Sequence, residues 1–256
     1  MTRALFGLLT RIRVPGTPTD LEQAAQEQHL FVLVGLIVGL TATIVSVLLS
    51  HFLGKGMFLV SGGILLVVLY YVTGILHTEG LADFADGIMA SGTQERKREA
   101  MKDVHLGVGG VFATVLYLIL MFAAFSLVCA KASDPVNPFP LPWQMTVAIG
   151  FVLAEMSGKL AMNTMMYLGP SSHPGMGALF VKAASRGKLL AAILLASAVS
   201  FVFTGLLSVL VLLGIVAGYV LTLTARKHFG GVSGDAFGAA NEVGRLLTLL
   251  AWVVIA

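Results

Sequence analysis

Between His77 and Gly87 the chain places three carboxylates, Glu79, Asp83 and Asp86, at positions i, i+4 and i+7. On an α-helix these positions fall within an arc of roughly 60°. Like charges on one helix face repel, and a bound divalent cation is the usual reason to keep them together. Oxygen-only ligands suit Mg²⁺ or Mn²⁺, ions that commonly bridge to substrate phosphates. The plain alternative is a solvated acidic helix end, although the flanking His77, Gly80 and Gly87 add constraints such an end does not need. His77 and His105 could each assist proton transfer or cap a helix. Lys102, next to Asp103, could bind phosphate or simply mark a basic loop.

These residues sit in a chain of 256 residues that is 57% hydrophobic and only 11% charged, where soluble domains carry about 25% charged residues. The composition predicts an all-α, polytopic integral membrane bundle forming a single domain over residues 1–256. The net charge of +3 does not indicate a nucleic-acid partner; in such a chain Lys and Arg mostly mark cytoplasmic loops. Membrane lipids are the expected surroundings, with a homo-oligomer left open. Cys129, the single cysteine, is expected to be a packing residue. The polar first 29 residues, with Pro15 and Pro18, do not read as a cleavable signal peptide.

About seven hydrophobic segments are expected. Four are Leu30–Leu53, Met57–Leu76, Leu106–Ala130 and Trp143–Leu168. Residues 189–224 are too long for one crossing and read as two short spans with a turn near Thr204-Gly205. A short tail, Leu246–Ala256, is marginal. Basic residues cluster at the N-terminus, at Arg96-Lys97-Arg98 with Lys102, at Lys182, Arg186 and Lys188, and at Arg226-Lys227. The positive-inside rule then puts three segments, approximately 77–105, 169–188 and 225–242, together on the cytoplasmic side of a cell membrane. Glu155 and Lys159, i and i+4 inside the fourth span, read either as a mutually satisfied pair or as functional intramembrane charges. Asp235 follows a glycine-rich stretch, Gly230-Gly231-Val232-Ser233-Gly234, whose backbone N–H groups could approach an anion.

Asp83-x-x-Asp86-Gly87-x-x-Ala90 overlaps the opening of the CDP-alcohol phosphotransferase signature, but Ser91 stands where that signature has Arg, and its downstream paired Asp is missing. A closer resemblance covers most of the chain. The elements Leu9–Pro15, Val34–Gly39, His77–Gly87, Met101–Gly110, Gly169–Gly177 and Gly230–Glu242 resemble, in order, those of the cobalamin synthase family, the adenosylcobinamide-GDP ribazoletransferases. Glu79 stands where that family usually has Asp, Ser172-His173 where Ala-Arg is typical, and Arg13 where Pro is usual.

The resemblance implies a Mg²⁺-dependent transferase of cobalamin biosynthesis. The hydroxyl of α-ribazole, or of its 5′-phosphate, attacks the cobinamide-side phosphorus of adenosylcobinamide-GDP, and GMP leaves. It implies Asp83 and Asp86 as the main metal ligands, with Glu79 and Asp103 next. The base stays open among Glu79, Asp83 and Asp103, with His77 assisting. Lys102, His105, Lys159, Asp235, Asn241 and Glu242 are the implied substrate contacts. The rival readings are a divergent CDP-alcohol phosphotransferase of lipid synthesis and a cation or metabolite transporter. A transporter would place its carboxylates near the bilayer midplane.

Overall fold

A computed structural model describes residues 3–12, 21–132 and 148–255. The described residues are helical and contain no strand. Twelve α-helices follow one another: α1 (Arg3–Leu9), α2 (Leu21–Gln26), α3 (Phe31–Leu53), α4 (Phe58–Thr73), α5 (Leu76–Met89), α6 (Gln94–Met101), α7 (Val108–Ala132), α8 (Gly150–Leu168), α9 (Met176–Ala183), α10 (Arg186–Thr204), α11 (Leu213–Phe229) and α12 (Gly234–Ile255). The proline-rich loop at 134–142, Trp143, Arg13 and Pro15 lie outside the described residues.

Helix α8 is the axis of the molecule. Its residues from Gly150 to Met166 are buried, and α3, α10, α11 and α12 pack around it. Close approach is possible where small residues face backbone. A side chain at Gly35 would strike the Glu155 carbonyl at 2.6 Å, and one at Gly39 the Val152 Cα at 2.5 Å. This is how helices associate where lipid removes the hydrophobic drive for helix contact.

Among the described residues four helical runs are long and apolar enough to cross a membrane: Gln28–Leu53, Val108–Ala132, Arg186–Phe229 and Gly234–Ile255. The bent pair α4–α5 makes a fifth if it counts as one crossing. The seven expected segments are therefore not established as seven crossings. The expected span Met57–Leu76 ends early, because Gly74 takes φ +71° and α5 leaves α4 at 95°. The tail expected at 246–256 is the second half of α12, which begins at Gly234. Most of the expected loop 225–242 is thus helical, and only residues 230–233 form a turn.

The run Arg186–Phe229 reverses direction. Ser200 Oγ lies 4.0 Å from Met156 Sδ, and a side chain at Gly214 would strike the neighbouring Ser157 carbonyl. The chain therefore climbs past Met156 and returns to the same level within 14 residues, turning at Gly205 (φ +56°) and the 3₁₀ segment Gly205–Leu212.

A buried polar network ties the bundle centre together. Arg245 on α12 donates from Nη2 to Glu155 Oε2 on α8 at 3.0 Å and from Nη1 to Glu242 Oε2 at 2.7 Å. Its Nε lies 2.7 Å from Glu155 Oε1, without hydrogen-bond alignment. The Tyr117 hydroxyl of α7 donates to Glu242 Oε2. The Thr78 hydroxyl of α5 lies 3.5 Å from Glu242 Oε1 and 3.2 Å from the Tyr70 hydroxyl of α4. Lys159 Nζ donates to Asn241 Oδ1 at 2.7 Å. Formal charges balance: Arg245 and Lys159 against Glu155 and Glu242.

Removing one partner of a buried pair leaves the other charge uncompensated, at a cost of roughly 3–5 kcal/mol. Arg245→Leu is expected to lose most of its folded, monodisperse protein in detergent. A triple variant, Arg245→Leu with Glu155→Gln and Glu242→Gln, is expected to recover much of it, as read by size-exclusion chromatography and thermal unfolding.

Candidate active site

Helix α5 brings the carboxylates to one end of the bundle. A side chain at Gly80 would meet the Asp235 carbonyl at 2.8 Å, and one at Gly238 the His77 carbonyl at 2.9 Å. These two glycines let α5 lie directly on the first turns of α12, running opposite to it. Asp83, half-buried, stands in the field of Asp235, Glu79 and Asp86. The acidic group thus spans two helices, with Asp235 of α12 the foremost charge acting on Asp83.

Two glycine-rich segments meet beside it. Val232 N donates to Pro170 O at 2.7 Å and Ser172 N to Val232 O at 2.9 Å, pairing the loop after α8 with the turn before α12. Gly177, at the start of α9, presses on Ser233 and Gly234. The N-termini of α9 and α12 therefore open side by side, and helix N-termini favour anions. His173 lies on the paired loop, with Ser172 Oγ 2.8 Å from its Nδ1. Partial burial and the charges of Lys102 and Arg98 hold the His173 imidazole below its ordinary pKa, against the pull of Asp235. Lys102, Arg98, His173 and Asp235 are thus electrostatic neighbours.

Basic residues at this end cap helix C-termini, where carbonyls lack helical partners. Lys97 Nζ donates to Ile88 O at 2.8 Å at the end of α5. Arg98 Nη1 donates to Phe229 O at 2.7 Å at the end of α11. Arg226 Nη2 donates to Leu168 O at 2.5 Å at the end of α8, and Lys188 Nζ to Ala183 O at 2.7 Å at the end of α9. Lys97 and Arg98, expected to mark a cytoplasmic loop, hold helix ends.

The remaining expected residues divide. Asp86 accepts from Gly107 N at 2.8 Å and Gly110 N at 2.7 Å, so both of its oxygens cap the N-terminus of α7. Asp103 is exposed and accepts from His105 N and pairs with His105 Nδ1, both at 2.9 Å. These bonds hold its carboxyl below the usual range. Asp103 and His105 are therefore engaged with each other on the α6–α7 turn, and Asp103 is not among the charges acting on Asp83. His77 is buried, two residues before Glu79.

Lys159, Asn241 and Glu242 lie in the buried network beneath the site, bonded to protein partners. Glu155 pairs with Arg245, not with Lys159 as the i, i+4 spacing suggests. Arg245 escapes sequence reasoning, because one of its two carboxylate partners, Glu155, is on another helix and the other, Glu242, precedes it by one turn. Its sequence signal was the intramembrane charge itself. Among the described residues no three His, Cys, Asp or Glu side chains are gathered closely enough to hold a metal alone. The donors at Glu79, Asp83 and Asp235 are all carboxylate oxygens, a set that fits Mg²⁺, which is usually bound by one or two carboxylates plus substrate phosphates and water.

The family model described as cobalamin-5-phosphate synthase matches residues 1–253. The chain belongs to the cobalamin-5-phosphate synthase family. Among curated relatives, the adenosylcobinamide-GDP ribazoletransferase of Methanococcoides burtonii is 31% identical over 98% of this chain and 91% of its own length. Those of Thermococcus onnurineus and Thermococcus kodakarensis are 35% and 33% identical, covering 96% and 99% of this chain and 94% and 98% of their own. No solved structure matches. In this family member four of the six sequence elements are brought together. Gly230–Glu242 touches both His77–Gly87 and Gly169–Gly177, and Met101–Gly110 joins them through Asp86.

Asp86 and Asp83 are expected to behave differently in stability. Asp86→Ala removes a cap and is expected to cost about 0.5–2 kcal/mol, seen as a lowered unfolding temperature. Asp83→Asn relieves like-charge repulsion and is expected to leave that temperature unchanged or raised.

Proposed function

We propose that the protein is an adenosylcobinamide-GDP ribazoletransferase that joins α-ribazole, or its 5′-phosphate, to adenosylcobinamide-GDP in the final steps of cobalamin biosynthesis. The observation that carries this reading is the full-length family match, centred on an acidic face at the paired N-termini of α9 and α12. The acceptor hydroxyl forms a bond to the cobinamide-side phosphorus, the diphosphate bridge breaks, and GMP departs with its phosphate. The hydroxyl proton passes to a carboxylate.

Asp83 and Asp235 stand on the two sides of the α5–α12 contact and are the residues we assign to hold Mg²⁺, with Glu79 beside them. When bound, Mg²⁺ would neutralise diphosphate charge and stabilise the leaving phosphate. Glu79 is exposed and one turn from Asp83, which suits it to accept the acceptor's proton. The backbone N–H groups opening α9 and α12 orient the phosphates. Lys102 and Arg98 supply, near His173, the positive charge that an arginine would bring in the family's usual loop. Asp103 and His105 sit on the α6–α7 turn, just before the glycines that Asp86 caps. The site faces the cytoplasm of a cell membrane, as the basic residues at this end imply.

The lipid-enzyme reading lacks its second Asp pair, and the transporter reading wants carboxylates at mid-membrane. Here they lie at the end where α5, α8, α9 and α11 finish. Purified protein given adenosylcobinamide-GDP and α-ribazole is expected to release GMP without any membrane gradient. Release should cease when either the acceptor or Mg²⁺ is withheld. GMP formation that ignores the acceptor would contradict the reading.

A further inference from the structure

An apolar cavity of about 120 Å³ opens beside Asp235. It is built from six helices, with walls that include Leu8 of α1, Phe31 of α3, Met166 of α8, Met176 and Phe180 of α9, and Phe237 of α12. The Phe31 and Phe180 rings are tilted at 54° with centroids 5.9 Å apart, so one wall carries two aromatic rings in contact. His77 and Asp235 are the polar side chains of the lining. Asp235 therefore belongs to two places at once: it ends the apolar cavity and is the foremost charge acting on Asp83.

We propose that this cavity is the acceptor subsite, taking a flat, uncharged aromatic heterocycle and presenting the attached sugar hydroxyl to the acidic face. The proposal rests on the function proposed above, in which the acceptor is ribazole, a methylated benzimidazole carried on ribose. Size sets the depth of entry: an engineered cavity of about 150 Å³ lined by Leu, Ile and Phe holds benzene, so this one, at about 120 Å³, has room for no more than the hydrocarbon edge of a bicyclic base, with the rest at the mouth. Wall chemistry agrees as well. Aromatic rings prefer offset or edge contacts with other rings, and thioether sulfur is favourable against a ring edge. A charged or sugar-rich ligand would leave its polar groups unpaired against these walls. The polar end of the ligand can only point towards His77 and Asp235, which carries it to the carboxylates. The N-terminal helix α1 closes the cavity through Leu8 and Leu9, giving this segment a role in acceptor binding.

Two variants test the assignment. Leu8→Cys places a thiol in the wall of a protein whose other cysteine, Cys129, is buried, and its maleimide labelling rate reports occupancy. Met176→Trp, at an exposed position of the lining, fills the space. With the full chain in nanodiscs, 5,6-dimethylbenzimidazole is expected to slow Leu8→Cys labelling at least about fivefold, while guanosine does not. Met176→Trp is expected to raise the KM for α-ribazole at least about tenfold, the scale at which apolar pockets discriminate by shape. The KM for adenosylcobinamide-GDP should stay within about twofold.

Normal turnover with unslowed labelling and an unchanged ribazole KM would overturn the subsite and leave the proposed function standing. Slowed Leu8→Cys labelling by 5,6-dimethylbenzimidazole, beside a wild-type protein that releases no GMP, would support the cavity and overturn that function. Slowing by decanoate but not by 5,6-dimethylbenzimidazole would overturn the proposal in favour of a lipid-tail site.

Discussion

The architecture depends on one buried cation. Arg245 reaches from α12 to Glu155 on α8 and to Glu242 on its own helix, and Tyr117 of α7 joins at Glu242. Thr78 then links the same carboxylate to α5. A network of this kind is high-stakes in a low-dielectric interior, because a half-satisfied version costs more than an apolar core. It also fixes register. Helix α12 cannot slide along α8 or α5 without stranding a charge, so Asp235, two turns above Glu242, is held at Asp83. The site's geometry is inherited from a network buried beneath it.

A second constraint acts at the surface end. Four helices finish there, bringing unsatisfied carbonyls and the negative ends of their dipoles to the same region as an acidic group. Lys97, Arg98, Lys188 and Arg226 offset this by donating to those carbonyls. The same end receives the N-termini of α7, α9 and α12. Asp86 occupies the first of these, while those of α9 and α12 open beside His173 and Asp235. Positive and negative helix ends are thus sorted into a capped rim and an anion-favouring centre, an arrangement suited to a diphosphate.

Much of this was legible in the residues. The spacing of Glu79, Asp83 and Asp86 does fall on one helix, α5, and the basic clusters do mark one end of the bundle. The resemblance carried the family, and with it the order of the motifs. Other features were hidden for identifiable reasons. Hydropathy cannot see Gly74 turning α5 by 95°, because the apolar run continues across the bend. The polar residues opening α12 disguised a continuous helix as a loop plus a tail, since Arg245, Glu242 and Asn241 are satisfied by partners far away in the chain. Asp86 and Asp83 have the same side chain and sit three residues apart. Only the fold shows that one faces two free amides at Gly107 and Gly110 while the other stands in the field of Asp235. The i, i+4 relation of Glu155 and Lys159 suggested a pair, but each found a partner on α12, where the geometry and the donor set were better.

The central claim is that Asp83 serves the chemistry while the network beneath serves the fold. The direct measurement is single-turnover GMP formation by Asp83→Asn, run beside wild type on protein whose unfolding temperature and adenosylcobinamide-GDP binding are both measured. The expected result is a folded variant that still binds the conjugate and forms GMP at least about 100-fold more slowly, the lower bound for losing a group acting on the reacting centre. GMP formation at the wild-type rate by a folded Asp83→Asn would contradict it and move the site away from the α5–α12 face.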